Sequence, residues 1–135
     1  MSEFLEFPDV EAIVAKTLRT ASIPNISTRV YSSIPRDPTF PLITVQRIGG
    51  IPAVREYMDA GNIQIDVWGG TKSEARDAAA RARIVLLGLA GSAVTDPVAA
   101  WVSAVEDSLG LSWQPDQLTG RDRYLFGVSV YARAN

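Results

Sequence analysis

The stretch Ile63-Gln64-Ile65-Asp66-Val67-Trp68-Gly69-Gly70-Thr71-Lys72-Ser73-Glu74 decides how the chain is read. Its first six residues alternate. Ile63, Ile65 and Val67 point one way, and Gln64, Asp66 and Trp68 the other, the period of a strand with one buried face. Gly69-Gly70 stops that strand. Thr71, followed three residues later by Glu74, fits a capping box, so a helix runs from about Lys72 to Leu89. Its apolar face (Ala75, Ala78, Ala82, Val85, Leu86, Leu89) is rich in alanine, which allows close approach to a sheet. Asp77 and Arg81 are spaced for an i,i+4 pair. A second stripe, Ala80, Ile84 and Leu87, lies away from that face and needs a cover. The first helix of the chain is the expected cover, and another subunit the alternative.

Upstream, Leu42 to Ile48 reads as a strand ended by Gly49-Gly50. Residues 51–62 form a long connection, read either as a local apolar cluster or as a loop or hairpin arm that meets a partner. Before these lies Ser33-Ile34-Pro35-Arg36-Asp37-Pro38-Thr39-Phe40-Pro41, whose prolines make it a stiff loop. A short strand around Thr28 to Ser32 and a turn over Ser22 to Ser27 precede it. The first helix spans about Asp9 to Ala21, with Val10, Ile13, Val14, Thr17 and Leu18 on one face.

Downstream, Asp96 to Gly110 is ambiguous. Asp96 as N-cap, Pro97 as first helical residue and Gly110 as C-cap favour a helix. The rival is a strand over Ala100 to Glu106. Trp113 to Gly120 reads as a turn-rich loop. Tyr124 to Arg133 alternates as a strand, with Tyr124, Phe126, Val128 and Val130 on one face.

Composition narrows the chemistry. The chain has 135 residues, the size of one domain, and its 47% hydrophobic and 21% charged fractions are ordinary for a folded protein. It contains no Cys and no His, which excludes thiolate nucleophiles, Cys-ligated zinc and Ser-His-Asp or Cys-His mechanisms. The net charge of −2 argues against a dedicated nucleic-acid binder. The acidic start, Met1-Ser2-Glu3-Phe4-Leu5-Glu6, lacks the apolar stretch of a signal peptide, and Ile84 to Val94 is too short to span a membrane. A soluble protein made in a cytoplasm is expected.

No motif carries catalysis. The Gly-Gly pairs lack Rossmann or Walker spacing and read as turns. Glu106-Asp107 with Asp116 or Asp122 lacks calcium-loop spacing, so no metal site is expected. No pair of carboxylates stands out as a general acid and base. Trp101 reads as core. Trp68 is core or an exposed interface aromatic, depending on whether its sheet face is covered. Trp113 beside Pro115 caps the end of the sheet.

The order of elements is more informative. A helix, the proline-rich loop, Pro41-Leu42-Ile43-Thr44-Val45 leading to Gly49-Gly50, the strand Ile63 to Trp68, an Ala-rich helix and the closing Arg123-Tyr124-Leu125-Phe126 strand follow one another. This order resembles the tail terminator, or tail completion, proteins of long-tailed bacteriophages over about residues 28–133. The resemblance implies an α+β fold, with an antiparallel or mixed sheet of about four to five strands packed by two helices. It implies a strand over Ala100 to Glu106, against the capping signals. It also implies a structural virion protein and not an enzyme, with no cofactor. Such a protein forms a sixfold ring with copies of itself at the head-proximal end of the tail, after synthesis in the host cytoplasm. The expected partners are the tail tube protein on one side and a head-neck connector protein on the other, with no membrane and no sequence-specific nucleic acid.

Contacts of that kind rest on exposed apolar and Arg anchors. Phe40, Arg47, Tyr57, Met58 and Trp68 are the candidates, with Arg36, Arg55, Arg121 and Arg123 as charge partners. The loop around Arg55 and Tyr57 is expected to project from the body. The rival readings are another ring-forming neck or head-completion protein and, from a different class, a small ligand-binding or carboxylate-dependent enzyme domain.

Overall fold

A computed structural model describes residues 8–54 and 58–134. Helix α1 (Val10–Ala21) starts where the Asp9 side chain accepts the Ala12 amide at 3.0 Å, and ends at Ser22 in the left-handed conformation. Its inward residues, Val10, Ile13, Val14, Ala15 and Leu18, are buried. The following turn also buries Ile23 and Ile26, which extends the core beyond the helix.

The sheet is built from β1 (Val30–Tyr31), β2 (Leu42–Val54), β3 (Met58–Trp68), β4 (Ser92–Val94), β5 (Ala100–Trp113) and β6 (Arg123–Ala134). Helix α2 (Lys72–Leu87) joins β3 to β4. The strand order is β1-β2-β3-β6-β5-β4. Every pairing is antiparallel except β1 with β2, so the sheet is mixed, and its six strands exceed the four to five expected. The added strand is β4, three residues that carry no periodicity of their own.

Both helices pack on one sheet face. Ile43, Val45, Ile63, Ile65, Val67, Phe126, Val128 and Val130 are fully buried there with the inward side chains of α1 and α2. Burying each large aliphatic side chain favours folding by roughly 1.5–3 kcal/mol before entropy is counted. The alternation read from Ile63 to Trp68 and from Tyr124 to Val130 therefore holds.

Helix α2 begins with the expected capping box. Glu74 N–H donates to Thr71 Oγ1, and Thr71 N–H to Glu74 Oε1, both at 3.1 Å. Its alanine face, Ala75, Ala78, Ala79 and Ala82, is buried with Leu86. Two expectations for this helix fail. Asp77 lies 3.6 Å from the neighbouring Arg76, not on Arg81. Helix α1 does not cover the second stripe, since Ile84 is 63% exposed and Ala80 and Leu87 are only half-buried. The two helices touch, but α1 lies over β1, β2 and β3 while α2 lies over β3, β5 and β6, which leaves the outer side of α2 bare.

Gly49-Gly50 does not end β2. The chain passes through it as a bulge, with a register shift between Arg47 and Gly49, and the strand continues to Val54. Gly50 has φ +117, and a Cβ there would meet the Ala60 carbonyl oxygen at 2.0 Å, so only glycine fits. Residues 51–54 and 58–62 are accordingly two strands of a long hairpin arm, not a structureless connection.

The segment after Asp96 is a strand, as the family resemblance implied, and it runs further than Glu106, to Trp113. The capping signals at Asp96, Pro97 and Gly110 are overridden because the segment pairs with β4 at its start and with β6 along its length, where Ala100, Val102 and, past a bulge at Ser103, Val105 reach the core. Trp101 is therefore half-buried and not core, since it sits between Ala100 and Val102 and points to the opposite face.

Candidate assembly surface

Strand register brings several of the candidate residues to one end of the sheet. Leu42 stands opposite Trp68, and Trp68 opposite Arg123. The Trp68 indole N–H donates to Thr44 Oγ1 at 2.9 Å, and the Arg123 guanidinium lies over the Trp68 ring at 4.9 Å from its centroid. Arg123 is further held by its Nε–H, which donates to the Gln114 carbonyl at 2.8 Å. Trp68 is thus half-buried on a face that no helix covers, pinned by a cation above and an acceptor beside it.

Phe40 joins the same end. It packs against Gly69, where an added Cβ would lie 2.6 Å from the Phe40 ring, and Arg121 lies 3.7 Å from its ring centroid. A third pair, unforeseen in the sequence, is Lys72 at 3.9 Å from the Trp113 ring centroid. Cations stacked on aromatic faces give a surface that is apolar in area yet charged at its rim, a composition common at protein interfaces. The β5–β6 loop that carries Arg121 is ordered by Asp116, which accepts from Thr119 Oγ1 at 2.6 Å and from Thr119 N at 3.1 Å. The Thr119 hydroxyl holds the Asp116 carboxyl below the usual carboxylate range. Leu118 at the tip is 95% exposed.

Behind this end lies Asp66, a carboxylate only 7% exposed. Gln64 Nε2 donates to its Oδ1 at 2.9 Å, and Arg123 Nη1 is 3.6 Å from its Oδ2. Burial pushes its pKa up, against the opposing pull of Gln64 and Arg123.

Two other candidates occupy the hairpin arm instead. Arg47 is exposed, but its guanidinium grips Asp59 with both terminal nitrogens, Nη2 to Oδ1 being 2.9 Å, and Asp59 raises its pKa. The backbone N–H of Arg47 donates to Glu11 Oε1 at 2.7 Å, which ties the arm to α1. Met58 is half-buried, with its sulfur accepting from Ser103 Oγ at 3.9 Å. Arg36 lies exposed in the proline-rich loop. Arg55 and Tyr57 fall outside the described residues. Of the seven candidates among the described residues, Phe40, Trp68, Arg121 and Arg123 meet at the sheet end, Arg47 and Met58 sit on the arm, and Arg36 lies in the proline-rich loop, so they do not form one cluster.

Sequence reasoning missed the apolar flank of β5. Leu109, Leu111 and Trp113 are all exposed, as is Ile84 on α2, and Arg83 Nη2 and Nε hold Asp107 at 2.6 and 2.9 Å between helix and strand. The alternation Leu109-Gly110-Leu111-Ser112-Trp113 was a readable signal, obscured by the helical reading of the segment before it. Among the described residues, no group of three or more Asp or Glu is placed to hold a metal ion, and no helix is long and apolar enough to cross a membrane.

The family described as tail completion protein gp17 matches residues 11–110. The chain belongs to that family. The match spans α1 through most of β5, and so covers the arm, Trp68 and Asp107. No curated protein sequence matches the chain significantly. Among solved structures, it is similar to a chain from the virion of a native gene transfer agent particle, with a TM-score of 0.66 and 16% sequence identity. That likeness covers 90% of this chain and 92% of the other, and shows the α+β fold of the tail completion protein without fixing its role.

Proposed function

We propose that this tail completion protein, a structural component of the phage tail or neck, is a tail terminator. Copies of the chain form a sixfold ring on the head-proximal end of the tail tube. One side of the ring repeats the contact that tube subunits make with each other. The other side denies a further tube subunit its docking surface and receives a head-neck connector. The reading assigns no chemistry to the protein, so it is neither an enzyme nor a cofactor carrier.

Membership of the tail completion family over residues 11–110 carries this reading. The geometry suits it. The stacked pairs Arg121–Phe40, Arg123–Trp68 and Lys72–Trp113 crowd one end of a stiff sheet, where a large partner can meet them together. The hairpin arm β2–β3 reaches from the opposite end. Rings grow from heterologous contacts that close on themselves, and neither surface needs to move to serve such a contact.

Purified protein mixed with isolated tail tubes tests the reading. Decoration of one tube end, with tubes then unable to elongate on added tube protein, is the expected result. Tubes that stay bare and continue to grow would overturn it. Alanine at both Arg121 and Arg123 is expected to weaken tube or connector binding while leaving the fold intact.

A further inference from the structure

The two flanks of the sheet are each half covered, and at opposite ends. On one flank β4 pairs only with Ala100, Trp101 and Val102 of β5. Among the described residues nothing pairs the outer edge of β5 from Ala104 to Trp113. On the other flank β1 pairs only with Ile43 and Thr44 of β2, which leaves the outer edge of β2 beyond Thr44 without a strand among the described residues.

Register relates the two flanks. Trp113 is level with Tyr124, Tyr124 with Val67, Val67 with Ile43, and Ile43 with Val30. By the same steps Ser112 is level with Tyr31, through Leu125, Asp66 and Thr44. At the far end Ser92 of β4 is level with Pro52 of β2, through Val102, Ala132 and Asp59. The strand that juts from one flank thus stands level with the bare stretch of the other.

We infer, on the ring reading above, that neighbouring copies join head to tail through these flanks, β5 of one copy against the β1–β2 side of the next. A copy set beside the first at the same height brings its β1 against the bare Ser112–Trp113 stretch. The β4 of the first then faces the bare outer part of the neighbour's β2. Strand directions agree with this. β2, β3, β6 and β5 alternate and β1 runs with β2, so the neighbour's β1 meets β5 antiparallel.

Side chains favour the same occupant. Leu109, Leu111 and Trp113 on β5, with Ile84 on α2, leave one flank apolar, and Ile34 and Ile48 do the same on the other. Each is an exposed large hydrophobic that a second copy would cover. An unpaired edge with apolar side chains is a template for another strand, and proteins seldom leave one bare. A two-fold pairing of β5 with β5 would leave Ile34 and Ile48 exposed. The level match lets subunits meet without an axial step, as a closed ring requires.

The absence of cysteine makes the contact directly testable. Gly110→Cys places a thiol on β5 where an added Cβ meets nothing within 4 Å, and Ser32→Cys places one just beyond β1 at an exposed position. Each single variant, the mixture and the double variant are treated with a short bismaleimide, alone and with tail tubes. The single variants are expected not to link. The mixture should stop at linked pairs, and the double variant should give a ladder of multiples. Linking within one single variant means a two-fold contact and overturns the inference. Assembly by sedimentation without linking puts the contact elsewhere, and leaves the ring standing. A protein that stays monomeric alone and on tubes overturns the ring and this contact together. A double variant that does not assemble where the wild type does is replaced by Leu109→Cys with Ile34→Cys, read in the same way.

Discussion

The two faces of the central strands are made from alternate residues of the same segments, yet they behave differently. Toward the helices, Ile63, Ile65, Val67, Phe126 and Val128 form a dry layer without a polar group. Toward the other side, Thr44, Gln64, Asp66, Trp68 and Arg123 form a network of directed contacts. The first face gains its free energy from area and shape, which many apolar sequences can supply. The second gains little net stability from each contact, because every hydrogen bond there replaces one with water. What the second face holds instead is geometry, the fixed placement of Trp68 and Arg123 at the end of the sheet.

That contrast can be broken most forcefully from the helix side. Phe126→Ala should destabilise the fold by about 3–5 kcal/mol, through lost transfer energy and the cavity left behind. Chemical denaturation with an unchanged m-value would register it. A loss below about 1 kcal/mol would mean that the core collapses around the gap. On the other face, Thr44→Val keeps the shape but leaves the Trp68 N–H without its acceptor, and should cost about 1–3 kcal/mol. Its indole fluorescence should shift as the ring loses its anchor, and an unchanged spectrum with unchanged stability would show the bond to be dispensable.

Asp66 sharpens the comparison through pH. Burial raises its folded pKa, so the folded protein holds this proton to a higher pH than the unfolded chain does. Stability from this group is therefore lost as pH rises from the ordinary carboxylate value through the raised one. Asp66→Asn should gain on the wild type between about pH 3 and pH 7, by thermal denaturation at both values. A variant that instead falls behind at neutral pH would show that Arg123 contributes more to the carboxylate than burial takes away. Least of all, Arg83→Ala should leave stability unchanged within error, because its pair with Asp107 is solvent-exposed on both sides. Any sizeable loss would make that pair a structural tie between α2 and β5.

Local pattern made some elements legible and left others hidden. The Ile63–Trp68 strand, the Thr71–Glu74 capping box and the Tyr124–Val130 alternation each state their structure within a few residues. Gly49-Gly50 misled because two glycines look alike whether they make a turn or a bulge, and only pairing with Gly61 and Asn62 distinguishes them. Asp96 to Gly110 misled because its caps satisfy a helix locally while its valines satisfy a sheet globally. Of the site, Trp68 and Arg123 were legible as an aromatic and a cation in strand ends. Their stacking was not, since it depends on β3 lying beside β6, a pairing across dozens of intervening residues.

By itself, the sequence determined two helices and most of the strands, in a chain without the residues of thiol or histidine chemistry. Those conclusions follow from periodicity, capping and composition, which act over a few residues or over the whole chain at once. Tertiary structure alone decided that the sheet has six strands, that Ile84 and the β5 flank stay bare, and that β1 and β4 cover opposite ends of opposite edges. The physical reason is range. Whether an edge or a helix side is covered depends on what else packs there, and no segment encodes the position of its neighbours.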